Sequence, residues 1–204
     1  MILVFLFCFP HLAHFDSAMK LQQNTLMRLF IALEIPPVLR DDMAIMSRQL
    51  RERIQGRFIP PENYHITLAF IGETLEMSIP LAIDAIDEAT KNLDGILLKP
   101  DQLGKFGRSE DATLWLGFTE NPELSALAAH IRESLYDHGI VYDHKPFRAH
   151  ATIARRAKLP KGALPPFSFP DPARAWRVTL FKSTLSSEGA SYEALYTKEA
   201  LLPK

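Results

Sequence analysis

His65-Ile66-Thr67-Leu68-Ala69 and His150-Ala151-Thr152-Ile153-Ala154 are two copies of one pattern: histidine, any residue, threonine, apolar residue, alanine. They stand 85 positions apart in a chain of 204 residues. Both lie in apolar stretches of strand length, 64–71 and 148–155. Alternate residues of a strand face the same way, so His65 and Thr67 share a face, as do His150 and Thr152. Ile66, Leu68 and Ile153 then point into a core. Such a tetrad arises by chance roughly 0.3 times in a chain with seven histidines, so one copy carries little weight and two in matching context carry a great deal. The repeat demands a fold in which two similar halves meet.

The rest of the chain fits that demand. A buried strand is predicted over 28–34, stopped by Pro36-Pro37. A helix over 38–54 places Leu39, Met43, Met46, Leu50 and Ile54 on one face. The first motif strand closes at Gly72, and a helix over 79–93 follows, with Ser78 as N-cap and Pro80 in the first turn. A strand pair is predicted over 95–106 and 112–118. The order then recurs. Asn121-Pro122-Glu123 starts a helix through 138, and Gly139 ends it. The second motif strand follows, then a Pro-rich loop over 156–172 and a strand pair over 175–185 and 192–202. Alternating elements followed by paired strands favour an α+β fold. The expected arrangement is one bilobal domain over 27–204 with pseudo-twofold symmetry: two antiparallel sheets, flanked by helices, around a central cleft.

Residues 1–26 stand apart. The apolar run at 2–9, ILVFLFCF, is too short for a bilayer, which needs ~20 apolar residues. No basic residue precedes it, as a signal peptide requires; the first is Lys20. The segment reads as an extension, a non-native start or a disordered stretch, with Met27 as the natural beginning. The lone Cys8 excludes a disulfide framework and a four-cysteine zinc site. Net charge is −1, so contact with nucleic acid must use a local patch. One candidate patch lies over 144–170, which holds Lys145, Arg148, Arg155, Arg156, Lys158 and Lys161 and no acidic residue.

Two imidazoles near one axis can divide acid and base work, because histidine titrates near ~6.5. A neutral ring accepts a proton from the nucleophile, and a protonated ring donates to the leaving oxygen. Two threonine hydroxyls can hold a phosphate between them. This suits in-line attack at phosphorus without a metal or other cofactor. No carboxylate dyad stands beside either motif, and no zinc spacing, Walker loop, dinucleotide fingerprint or nucleophilic K-x-D-G lysine is present. Phe106 and Phe147 are candidates to stack on bases. Trp115, between Leu114 and Leu116, is expected in the core. Arg155 has opposite strand parity to His150 and reaches the site only if the strand ends or bulges before it.

Paired H-x-T-Φ motifs in two halves resemble the 2H phosphoesterase superfamily, and within it the RNA 2′,3′-cyclic phosphodiesterase family, also called 2′-5′ RNA ligase. MRLFIALEIP, PPENYHITLAFIGE, LWLGF, PFRAHATIAR and the late L-S-x2-G-x2-Y segment carry the resemblance, which runs from Met27 to about Pro203. It implies a metal-independent enzyme that opens 2′,3′-cyclic phosphate RNA ends to 2′-phosphates by breaking the P–O3′ bond. By the same resemblance His65 is the proton donor, His150 the proton acceptor, Thr67 and Thr152 hold the phosphate, and Arg155 is the basic residue after the second motif. Tyr64 and Ala151 stand where the family often has leucine; Tyr64 is expected to pack. The implied partner is RNA with a cyclic phosphate end, tRNA fragments included, acted on by a cytoplasmic monomer with no membrane contact. The competing readings are a cyclic phosphodiesterase acting on a nucleotide or ADP-ribose cyclic phosphate, and an RNA-binding module without turnover.

Overall fold

The computed structural model describes residues 26–162, 164, 166–187 and 189–200. The expected extension lies outside them, except for Leu26, which opens the first strand. In chain order the elements are β1 (Leu26–Glu34), α1 (Pro37–Arg51), β2 (Gln55–Phe58), β3 (His65–Leu75), α2 (Ile79–Ala89), β4 (Ile96–Leu98), β5 (Pro100–Arg108), β6 (Asp111–Phe118), α3 (Pro122–Asp137), β7 (His150–Lys158), β8 (Ala173–Ala175), β9 (Arg177–Leu185) and β10 (Ala190–Glu199). Single 3-10 turns at Pro61–Asn63 and Glu76–Ser78 precede β3 and α2. No helix among the described residues is long and apolar enough to cross a membrane.

The fold is α+β. The main sheet is antiparallel, in the order β10-β9-β1-β3-β7-β6-β5, with β2 also on β7; β4 and β8 form a separate small sheet. The halves β10-β9-β1-β3 and β2-β7-β6-β5 join through one residue pair, Ile66 opposite Ala151. These are the middle residues of the two His-x-Thr motifs. The lobes thus meet at the repeat itself, as the pseudo-twofold reading expects.

Both predicted strand pairs form, β5 with β6 and β9 with β10. β5 and β6 precede the second motif but pair with its strand, β7, while the C-terminal β9 and β10 extend the first motif's half through β1. The predicted strand over 95–106 is two. Pro100 has no N–H for the ladder, and the chain changes sheets at Lys99. β2, QGRF, shows no apolar alternation and forms by docking on the edge of β7. Gly56 permits this, since a Cβ there would lie 2.9 Å from the Ala157 Cα.

The core lies on one side of the main sheet. Ile66, Leu68 and Ile153 are fully buried, as are Leu39, Met43, Met46 and Leu50 of α1 and Leu124, Ala128 and Ile131 of α3. Tyr64 packs with them. Asn121 caps α3 by accepting the Leu124 N–H at 3.1 Å. Ser78 occupies the N-cap of α2 but makes no capping bond; its hydroxyl meets that of Thr74 instead.

Candidate active site

The site forms where the ladder opens. Ile59 donates its N–H to the Ile153 carbonyl, and Ile66 lies opposite Ala151. Residues 60–65 therefore stand against Thr152 alone and loop out. Pro60 and Pro61 head this loop and have no N–H to continue the pairing. His65 emerges at its end, beside Thr152 in the antiparallel register, and His150 likewise lies beside Thr67.

Each ring is held in the same way. His65 Nδ1 donates to the Asn63 carbonyl at 2.8 Å, and His150 Nδ1 donates to the Arg148 carbonyl at 2.8 Å. A carbonyl only accepts, so both neutral rings carry the proton on Nδ1 and present a free Nε2 lone pair. Prolines four residues before each histidine, Pro61 and Pro146, complete the likeness.

The fourth position of each motif is a β-bulge. Ala32 and Ile31 of β1 oppose Thr67 and Ala69, leaving Leu68 extra; Trp115 and Leu114 of β6 oppose Thr152 and Ala154, leaving Ile153 extra. Leu68 and Ala69 are both buried, and so are Ile153 and Ala154. The bulge reverses the alternation, so Phe70 and Arg155 return to the face of the histidines. This is the condition on which Arg155 could reach the site, and Arg155 does line the cleft. The bulge carbonyls are satisfied from outside the ladder. Leu68 accepts from Arg132 Nε at 2.9 Å and Ile153 from the Ile59 N–H at 2.8 Å.

The cleft on the His65 side has a volume of about 530 Å³ and includes His65, Thr67, Phe70, Arg28, Arg57 and Arg155. Phe30, Tyr192 and Phe181 surround the His65 ring, with centroids at 4.9, 5.3 and 6.4 Å. On the other side Phe106 meets His150 edge-on at 5.2 Å, and Trp115 lies at 5.9 Å. Trp115 is buried as expected, but against this face and not in the helix-covered core. Its indole lies over Gly104, where a Cβ would come within 2.1 Å of the ring. Arg148 stands 5.8 Å from the Phe106 ring centre and 5.5 Å from that of Trp115.

Burial holds His65 well below the usual imidazole range, at about 4, against the opposing pull of the Asn63 carbonyl; the charges of Arg155 and His150 add to the lowering. His150 is also lowered, again mainly by burial, with Arg148 and Arg155 contributing. The carboxylate opposite His65 in the ladder is Glu34, whose oxygens are taken by Thr179 at 2.5 Å and Arg177 at 3.4 Å.

The structure thus brings together His65, His150, Thr67, Thr152, Arg155 and Phe106. It does not bring in Phe147, which packs on the core under Arg132 of α3, because the chain turns between Phe147 and the start of β7. The expected run of free cations is also reduced. Lys145 pairs with Asp143 at 2.7 Å, and Arg156 lies 4.0 Å from Asp111. The His144 ring meets that of Tyr142 at a tilt, with centroids 4.5 Å apart, and His138 reaches Glu88, both away from the cleft. Sequence reasoning missed Phe30, Tyr192, Phe181, Trp115, Arg28 and Arg57 as site-lining residues. All come from strands whose facing depends on cross-strand register.

Comparison with known proteins agrees with this geometry. The profile of the 2′-5′ RNA ligase superfamily matches residues 39–180. The chain is 27% identical over 176 residues to the RNA 2′,3′-cyclic phosphodiesterase of Thermotoga maritima, covering 83% of this chain and 94% of that protein. It is 30% identical over 130 residues to the enzyme of the same name from Archaeoglobus fulgidus, covering 63% and 72%. Escherichia coli LigT complexed with 3′-AMP superposes with a TM-score of 0.69 at 26% identity, covering 86% of this chain and 99% of that one. A Thermus thermophilus structure shares the fold, with a TM-score of 0.75 at 24% identity and coverage of 87% and 100%. With the repeat, the shared junction and the profile in agreement, the chain belongs to the 2′-5′ RNA ligase superfamily.

Proposed function

We propose that this protein hydrolyses RNA ends bearing a 2′,3′-cyclic phosphate, leaving a 2′-phosphate, by acid–base catalysis without a metal. The observation that carries this reading is the matched pair of imidazoles. Each is locked through Nδ1 onto a backbone carbonyl, and each offers Nε2 at the junction of the two lobes. Water approaches phosphorus on the His150 side and gives its proton to His150 Nε2. The P–O3′ bond breaks on the opposite side, and His65 donates its Nε2 proton to O3′. Thr67 and Thr152 hydrogen-bond the non-bridging oxygens, and Arg155 balances their charge. The anionic substrate raises His65 from its low value in the empty site, so the donor is charged as the complex forms. A 5′-hydroxyl in place of water would form a 2′-5′ bond by the same steps. All these groups come from one chain, so a monomer is the working unit in this reading.

His65→Ala and His150→Ala are each expected to lose about 10²–10⁴-fold in rate. An activated leaving group needs little acid assistance and is expected to rescue His65→Ala far better than His150→Ala. Equal rescue would overturn the donor and acceptor roles. Activity on a cyclic-phosphate oligonucleotide is expected to persist in excess EDTA; loss restored by a divalent ion would overturn the metal-free mechanism.

A further inference from the structure

We propose that Arg28 and Arg57 form a second phosphate subsite, which takes the phosphodiester on the 5′ side of the reacting nucleotide and makes a polynucleotide end the preferred substrate. The inference rests on the hydrolase reading above, with His65 as donor. In that reading O3′ leaves toward His65. O3′ belongs to the ribose that also carries the 5′ linkage to the rest of the chain. The polynucleotide must therefore extend over the His65 lobe, and the attacking water comes from the other.

The cleft on that lobe has the matching charge. Arg28, Arg57 and Arg155 all line it, and no acidic residue does so among the described residues. Arg57 and Arg155 are direct cross-strand partners of β2 and β7. Like charges in that position repel and destabilise the ladder. Neither has a carboxylate within ion-pair distance among the described residues. Arg28 opposes Glu73 across β1 and β3, yet its guanidinium lies over the Phe70 ring, 4.7 Å from the centre, with no ion pair among the described residues. A pair of facing arginines and a third held on an aromatic ring are what two successive phosphates need. Arg155, beside the threonines, serves the cyclic phosphate; Arg57, one strand outward, and Arg28 serve the next one.

The test compares a 2′,3′-cyclic mononucleotide with a free 5′-hydroxyl and a dinucleotide ending in a 2′,3′-cyclic phosphate, which adds one phosphodiester. The ratio of their kcat/KM values is measured for the wild type, Arg28→Gln, Arg57→Gln, Arg57→Lys and the double glutamine variant. The wild type is expected to favour the dinucleotide by roughly 10- to 100-fold, the range of hydrogen bonds to a charged group. The double variant should bring the ratio near one, and Arg57→Lys should keep part of it. In the wild type the dinucleotide should also show a steeper fall with salt, by about 0.7 in log–log slope for one extra phosphate. The circular dichroism spectrum and unfolding midpoint of each variant report its folding. An unchanged ratio in the variants, an equal loss on both substrates, or a wild type without preference would overturn the subsite while leaving the hydrolase reading in place. A wild type that opens neither substrate removes both.

Discussion

The alanine that closes each repeat is as much a part of the site as the histidine that opens it. At Ala69 and Ala154 the bulge turns a residue inward directly after another inward residue, and a methyl group is what the core there accommodates. Only with that reversal do Phe70 and Arg155 face the cleft. The burial that fixes the rings also sets their titration. With His65 at about 4 and His150 below the ordinary 6.5, the free protein holds both rings neutral near pH 7. The proposed reaction needs one protonated and one neutral ring. The kcat/KM profile, which reports the free enzyme, is therefore expected to peak below pH 6.5 and to decline above it. The kcat profile should lie at higher pH, because bound phosphate raises the imidazoles. Coincident profiles would contradict the coupling. The sign for stability follows: the unfolded chain binds the His65 proton from about 6.5 down to about 4 and the folded protein does not, so stability falls as pH drops through that window. Strand parity made the facing of His65, Thr67, His150 and Thr152 legible in sequence. It could not place Trp115 or Phe30, whose facing depends on bulges and register set by other strands.

At the scale of elements, α3 joins the two motifs without contributing a side chain to the cleft. Arg132 donates Nε to the Leu68 carbonyl at 2.9 Å and a second nitrogen to the Lys145 carbonyl at 3.1 Å. One side chain thus fixes the bulge in the first motif and the loop before the second. Arg132→Met keeps much of the apolar stem but leaves a bulge carbonyl unpaired. It is expected to cost about 1.5–3 kcal/mol in denaturant unfolding, with a smaller fall in turnover. Helix α3 itself was legible, because Asn121, Pro122 and the apolar stripe are local signals. Strand partners beyond the two predicted pairs were not. The periodicity of 112–118 marks a strand whether it pairs with the first motif or, as found, with β7. β2 carries no apolar pattern at all; the edge of β7 gives it its conformation.

Across the whole molecule, two half-sheets share one backbone pair, and the two motif histidines stand on opposite sides of it. Among the described residues the sheet begins at Leu26 and the cleft at Arg28. Removal of residues 1–25 is therefore expected to leave the unfolding midpoint and kcat/KM unchanged. An inactive or insoluble truncated protein would show that those residues belong to the working structure. The matched Nδ1 bonds bear on what happens between turnovers. In the proposed reaction each cycle ends with His150 charged and His65 neutral, the mirror image of the state in which it began. Both Nδ1 protons are committed to backbone carbonyls, which cannot pass a proton onward, so neither ring can reset the other through the protein. The exchange must run through the two Nε2 atoms and the water in the open cleft. A pseudo-symmetric catalyst of this kind returns to its starting form by way of solvent, and small proton carriers in the surrounding buffer become participants in its cycle.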